Sequence, residues 1–315
     1  MRIASLLPSA TEIAYALGLG EHLVAVTHEC DMPPTARTDH HVVVSGVDTS
    51  TMTPAQIDAH VRATAAAGGD LYTLDSGAMT ALQPDLILTQ DLCRVCAVPA
   101  GQVTQALAHL GCTADVLTLD PHSLDDVLAT ILTIGARTGT HERADHLVTA
   151  LRARLQAVAD QVSARPRPRV LVLEWTDPPF SAGHWVPDLV RAAGGEPVGL
   201  GSGSRSHSIS WDDVHKARPD IIVVAPCGFH LPAATQQAIT ILDRLPNVPV
   251  WAIDADGLVV RPGPRLIDGV EALAAALHSD AVATPDPAAI HLVDPGSARE
   301  ANRSPDALWG KNIRH

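Results

Sequence analysis

Six side chains in this sequence have the chemistry to hold a soft metal: His28, Cys30, Cys93, Cys96, His184 and Cys227. Thiolate sulfur and neutral imidazole suit zinc, iron or a comparable centre. Cys93-x-x-Cys96 has metal-ligand spacing, which a redox dithiol shares, and His28-x-Cys30 is a looser pair. All six follow an expected strand end, so they would converge if both halves of the chain turn those ends to one crevice. The competing reading is a set of independent buried thiols, because free cysteine commonly packs as a small hydrophobe. Cys112 instead precedes a strand and is expected to be such a packed thiol.

A second chemistry is stacking. Residues 169–187 read RVLVLEWTDPPFSAGHWVP, an apolar strand breaking at Glu174 into a loop that carries Trp175, Asp177, Phe180, His184 and Trp185. The chain has only nine aromatics (five Trp, two Tyr, two Phe), and three of them fall in this stretch, which marks it out. Loops beyond the carboxyl ends of strands line the ligand crevice of open α/β sheets. Trp175, Phe180, His184, Trp185, Trp211 and Phe229 are therefore the candidate ligand-binding residues, each buried aromatic contributing about 1.5–3 kcal/mol. His184 or His28 is the candidate axial donor to a metal-centred ligand. The competing reading is a hydrophobic lid over the sheet end. The run Gly-Leu-Gly-Ser-Gly at 199–203 lacks the Lys-Ser/Thr ending of a phosphate loop and reads as a flexible loop. No G-x-S-x-G elbow is present, and no catalytic residue is assigned.

The elements that would position these groups alternate. Strands are expected at 3–7, 23–27, 42–44, 86–89 and 115–119, with helices between them, one of them over 101–110; Ser9 and Glu12 have capping-box spacing, as do Thr53 and Gln56. From 142 to 164 the pattern becomes one long helix, with Leu147, Leu151, Leu155, Val158 and Val162 in a stripe. Alternation then resumes, with strands at 170–173, 221–225 and 250–253 and a helix capped by Ser210. The expected fold class is α/β: two Rossmann-like lobes joined by one long helix. The expected boundaries are 1–138 for the first lobe, 139–165 for the helix, 166–278 for the second lobe and 279–315 for an extended tail.

A net charge of −13 argues against nucleic acid, which wants a basic face. No apolar run approaches the roughly 20 residues of a membrane span. Met1 and Arg2 lead straight into a strand without a leader, so the expected location is the cytoplasm, with a periplasmic or lipoprotein form only if a leader was removed. An odd cysteine count suits that reducing compartment.

Several segments together resemble the cobalamin-binding proteins of ABC importers, within the class of iron-siderophore, haem and cobalamin binding proteins. They are RIASLLPSATEIAYALG at the start, then VTHECDMPP, LQPDLIL, PRVLVLEWTDPPFSAGHW, RPDIIVV and VPVWAID. The resemblance implies the class III substrate-binding fold, closing little on a corrinoid held between the lobes. It also implies that Phe180, in the P-P-F motif, is an aromatic of the cleft and that Trp211 lies near one covering the ring face. Importer-coupled relatives dock to the permease through one acid per lobe. Here the matching positions are Asp212 and Gly77, and the lack of an acid at Gly77-Ala78 puts permease docking in doubt. The expectation is a binding protein for cobalamin or a related metal-centred ligand and not an enzyme. The alternative is a cytosolic metal or redox protein holding zinc or an iron–sulfur cluster on the Cys/His set.

Overall fold

The structure, a computed structural model, describes residues 1–91 and 114–294. Cys93, Cys96 and Cys112, with the helix expected over 101–110, lie outside the described residues. The described chain divides into two compact units. The first takes Met1–Thr49, 59–91, 114–121 and Asp126–Thr149; the second takes Ser50–Asp58, His122–Asp125 and 150–294.

Each unit is built on its own sheet. The first contains β1 (Ile3–Ser5), β2 (Leu23–Thr27), β3 (His41–Gly46), β4 (Tyr72–Leu74), β5 (Leu86–Thr89) and β6 (Asp115–Thr118), in the order β4-β3-β2-β1-β5-β6. All its pairings are parallel except β3 with β4. Its core gathers Ala4, Leu6, Ala25, Val43, Val44, Met79 and Ile87. Near-continuous apolar runs such as LILT at β5 are what a parallel strand covered on both faces requires.

The second sheet contains β7 (Arg169–Thr176), β8 (Pro179–Ser181), β9 (Glu196–Pro197), β10 (His207–Ser208), β11 (Ile221–Val224), β12 (Val250–Ile253) and β13 (Ile290–Leu292). Its order is β10-β8-β7-β11-β12-β13, with β9 beside the start of β7. Leu171, Leu173, Ile222, Val224, Val250 and Ala252 form its centre. β7 continues through Glu174 to Thr176, three residues past the expected break, because β8 folds back and pairs with that end. Residues expected to be an extended tail contribute β13. It pairs antiparallel with the edge of β12 and buries Ile290 and Val293.

Helix His141–Val162 carries the chain from one unit into the other; its 22 residues span about 33 Å. Arg143 donates to the Leu17 carbonyl at 3.0 Å in the first unit. In the second, Arg154 forks onto Glu271 at 2.8 and 2.6 Å and reaches Asp268 at 2.5 Å. Of the expected caps, Thr53 and Gln56 close a reciprocal box before helix Pro54–Ala66, at 2.8 and 3.3 Å. The Ser9–Glu12 box does not form. Leu7 is the N-cap and Pro8 the first helical residue, since proline has no N–H to lose there, so Ser9 is already inside the helix.

Helix Leu266–Leu277 approaches helix Ala255–Leu258 so closely that a Cβ at Gly269 would overlap the Leu258 carbonyl oxygen. Backbone cannot yield as a side-chain tip does. Gly269→Ala should cost about 1–3 kcal/mol, a loss measurable by urea unfolding.

Candidate functional site

In the second sheet β8 and β9 share one flank of β7, while β11 takes the other. The strand order reverses between β7 and β11, and the carboxyl end of that pair is where an open α/β sheet offers a crevice. Three aromatics stand there. Trp175 and Phe180 are direct cross-strand partners on β7 and β8. Phe229 follows β11 and meets Trp175 with ring centroids 5.8 Å apart, tilted 52°. That separation lies within the favourable range for tilted aromatic pairs. The indole N–H of Trp175 is shared between the carbonyls of Pro54 and Asp177, both at 3.2 Å, which sets the ring's direction. The Cys227 N–H donates to the Glu174 carbonyl at 3.0 Å, holding the half-buried Cys227 and the Phe229 loop to the end of β7.

The loop's other candidates go elsewhere. Because β8 is antiparallel, the chain runs back along β7 after Phe180: Ser181 pairs with Leu173 and Ala182 N donates to Val172 O at 3.1 Å. His184 lies three residues past the end of β8, in the turn that follows the Ala182–Val172 contact and not in the Trp175–Phe180 pair. Its φ is +52°, a left-handed conformation held by His184 N to Ser204 O at 2.7 Å and Gly203 N to His184 O at 3.0 Å. Among the described residues its Nε2 is buried without a hydrogen-bond partner. Burial first, then the charges of His122 and Arg205, push its pKa down, so the ring is held neutral. Trp185 packs 5.7 Å from that ring, is 6% exposed, and gives its indole N–H to Val259 O at 2.8 Å. The sequence expectation that Trp185 lines a ligand is corrected by this geometry: it is a core residue. Trp211 begins helix Trp211–Lys216 behind the expected Ser210 cap, which Asp213 closes. It packs on the sheet's apolar cluster with the Arg244 guanidinium 5.4 Å above its ring.

Two arrangements carry no motif in the sequence. One is the carboxylate of Glu174, which accepts from Ser206 Oγ at 2.6 Å and from Gly183 N at 3.2 Å, while Gly183 N also reaches Ser206 Oγ at 3.1 Å. Desolvation raises its pKa, only partly offset by these donors. An acid inside an apolar strand run was the signal that could have found it. The other is a charged rim past β11 and β12. His230 Nδ1 lies 2.9 Å from Asp254 Oδ1, Arg261 forks onto Asp256, and Asp256 N donates to Phe229 O at 3.1 Å.

The first unit holds His28 and Cys30. The Nδ1 of His28 lies 3.2 Å from Val44 O; a carbonyl only accepts, so Nδ1 carries the proton and Nε2 the lone pair. Burial lowers its pKa, which leaves a neutral imidazole able to donate to a metal. Cys30 is fully buried among Val26, Ala36 and Tyr15, its sulfur 3.0 Å from Thr11 Oγ1. That environment is the packed thiol of the competing reading, and it corrects the expectation that Cys30 reaches a strand-end crevice.

An aromatic edge at a strand-order reversal is a place where an open α/β sheet can hold a ligand. The sequence matches the periplasmic binding protein family over residues 3–255, and the chain belongs to that family, whose members are defined by binding and not by catalysis. It is 28% identical over 279 residues to the vitamin B12-binding protein of Vibrio cholerae, covering 86% of each chain. It is 25% identical over 291 residues to an uncharacterized ABC transporter substrate-binding lipoprotein of Bacillus subtilis, covering 89% of this chain and 80% of that one. Among solved structures, a periplasmic haem-binding protein of Pseudomonas aeruginosa superposes with a TM-score of 0.69 at 20% identity, over 93% of this chain and 98% of that one. The periplasmic vitamin B12-binding protein of Vibrio cholerae superposes at 0.61 and 24% identity, over 88% and 96%. The fold is therefore that of the class III periplasmic binding proteins. Among the described residues no helix is long and apolar enough to cross a membrane.

Glu174 gives a pH-dependent signature. Its folded-state pKa is raised, so its contribution to stability is fully present below the unfolded value of about 4.3 and is lost as pH rises through the folded value. Glu174→Gln cannot ionise. Relative to that variant, the wild type should lose thermal stability as pH climbs from about 4 toward neutrality. Parallel melting-temperature profiles for the two proteins would refute this.

Proposed function

We propose that this protein binds a flat, metal-centred tetrapyrrole, a corrinoid such as cobalamin in the first instance, against the carboxyl edge of its second sheet. The observation that carries the reading is the convergence of Trp175, Phe180 and Phe229, from three separate segments, at the β7–β11 reversal. Planar π faces and a shared apolar edge suit a large macrocycle better than a small polar solute. Relatives named for vitamin B12 and for haem support the ligand class. Of the two candidate histidines, His28 has a neutral ring with its lone pair on Nε2, the form that donates to a metal. The alternative of a zinc or iron–sulfur protein draws no support from Cys30, which is sealed in a core. The relatives are periplasmic proteins and a lipoprotein by name, so the cytoplasmic location expected from the sequence finds no support among them. Work with an importer permease, as in the family, is part of the same proposal only through the second unit, near Asp212, because the first unit has Gly77-Ala78 where an acid would stand.

Titration with hydroxocobalamin and with haemin, followed by tryptophan fluorescence and visible absorbance, tests the reading. Binding of at least one is expected. Trp175→Ala and Phe229→Ala should each weaken it about ten- to hundredfold, the equivalent of burying one aromatic. Trp211→Phe, altering a residue packed behind the sheet, should leave affinity within about twofold while it folds normally. No binding of either tetrapyrrole, or equal affinity in the Trp175 and Phe229 variants, would overturn the proposal.

A further inference from the structure

Glu174 and the residues around it make a joint that is costly in three independent ways. The carboxylate is half-buried, and among the described residues it is satisfied only by a hydroxyl and an amide and has no ion-pair partner. Burying such a charge without a cation is expensive, and an apolar side chain would serve simple packing at lower cost. Gly183 lies so close beneath the 204–206 backbone that a Cβ there would overlap the Ser204 carbonyl oxygen. His184 adopts a left-handed backbone that a residue with a side chain rarely takes. Costs of this kind persist where the surroundings over-determine them, and their clustering is a reason to look for a role.

The connections of the joint point to that role. The carboxylate of Glu174 draws in Ser206, which leads directly into β10, and β10 sets Ser208 opposite Phe180. Ile209 N continues the register by donating to Pro179 O at 2.8 Å. The main-chain carbonyl of Glu174 receives Cys227 N, at the root of the Phe229 loop. The next residue along the strand is Trp175. One residue therefore ties together the three segments that present the aromatic edge.

We propose that Glu174 is a positioning residue for ligand binding: by accepting from Ser206 and Gly183 it fixes the strand register that places Phe180 beside Trp175, against which Phe229 packs. The inference rests on the tetrapyrrole reading above. It also makes a claim about the joint that is independent of any ligand.

The test uses the full chain as wild type, Glu174→Ala, Glu174→Gln and Ser206→Ala. Two quantities are measured: affinity for hydroxocobalamin and haemin, and amide hydrogen exchange. Glu174→Ala and Ser206→Ala should bind about tenfold more weakly, with faster exchange confined to 183–184 and 203–208. Glu174→Gln, whose amide oxygen can accept from the same two donors, should restore both quantities. Wild-type affinity and protection in Glu174→Ala would overturn the proposal, as would a Gln variant no better than the Ala one. Faster exchange across the whole chain would also overturn it, since that marks a global stability role. If Glu174→Ala does not fold, Ser206→Ala against Glu174→Gln decides the matter. If wild type binds neither tetrapyrrole, the functional reading falls and exchange alone judges the joint: unchanged protection at 203–208 overturns it, and Gln-rescued protection upholds it.

Discussion

A parallel strand can be joined to its neighbour only by a crossover, so every strand of a parallel run delivers its following loop to the same edge. The second sheet obeys this constraint for β7, β11 and β12, and its candidate site follows from it. Trp175, Phe229 and the charged rim of His230, Asp254 and Asp256 are far apart in sequence, yet each follows or ends one of these strands. The exception makes the site. β8 breaks the parallel rule by folding straight back on β7, and that hairpin brings Phe180 opposite Trp175. The same reversal takes His184 and Trp185 away from the edge, so one topological choice both assembles the aromatic group and limits its membership.

Polar groups do the fastening. Backbone donors at Cys227, Gly183 and Ile209 hold the loops to the strand ends, and the carboxylate of Glu174 joins that fastening. Away from the edge, charges behave ordinarily. Arg154 pairs with Asp268 and Glu271 at partly exposed positions, where an ion pair orients helices more than it stabilises them. The contrast between an ion-paired Arg154 and a half-buried Glu174 that accepts from a hydroxyl and an amide is what sets the latter apart.

The relatives illustrate how far a fold constrains a ligand. Proteins named for haem and for vitamin B12 share this architecture at 20–24% identity, because the architecture depends on apolar periodicity and crossover geometry, which many sequences satisfy. What distinguishes one ligand from another is carried by a few side chains at the edge. Under the proposed reading those are three aromatics, a half-buried cysteine and a rim containing one histidine, two aspartates and an arginine.

Much of this molecule was legible in the sequence by itself. Apolar runs such as LILT and VLVL, together with the long stripe from Leu147 to Val162, determined the strands, the α/β class and the helix linking two units, because burial on one or two faces writes its period into the chain. Family segments spread from Arg2 to Leu277 indicated the class of binding protein. Local cap chemistry was legible at Thr53–Gln56, where both partners lie within one turn. It misled at Ser9–Glu12, where the proline took the first helical position. Only the tertiary structure decided which aromatics meet, that Trp185 and Cys30 are core, and that Glu174 holds Ser206. Each of those facts depends on a hairpin register or a contact across many residues, 32 in the case of Glu174 and Ser206. Residue spacing along the chain carries periodicity, but it does not carry which distant segment will arrive beside a given side chain.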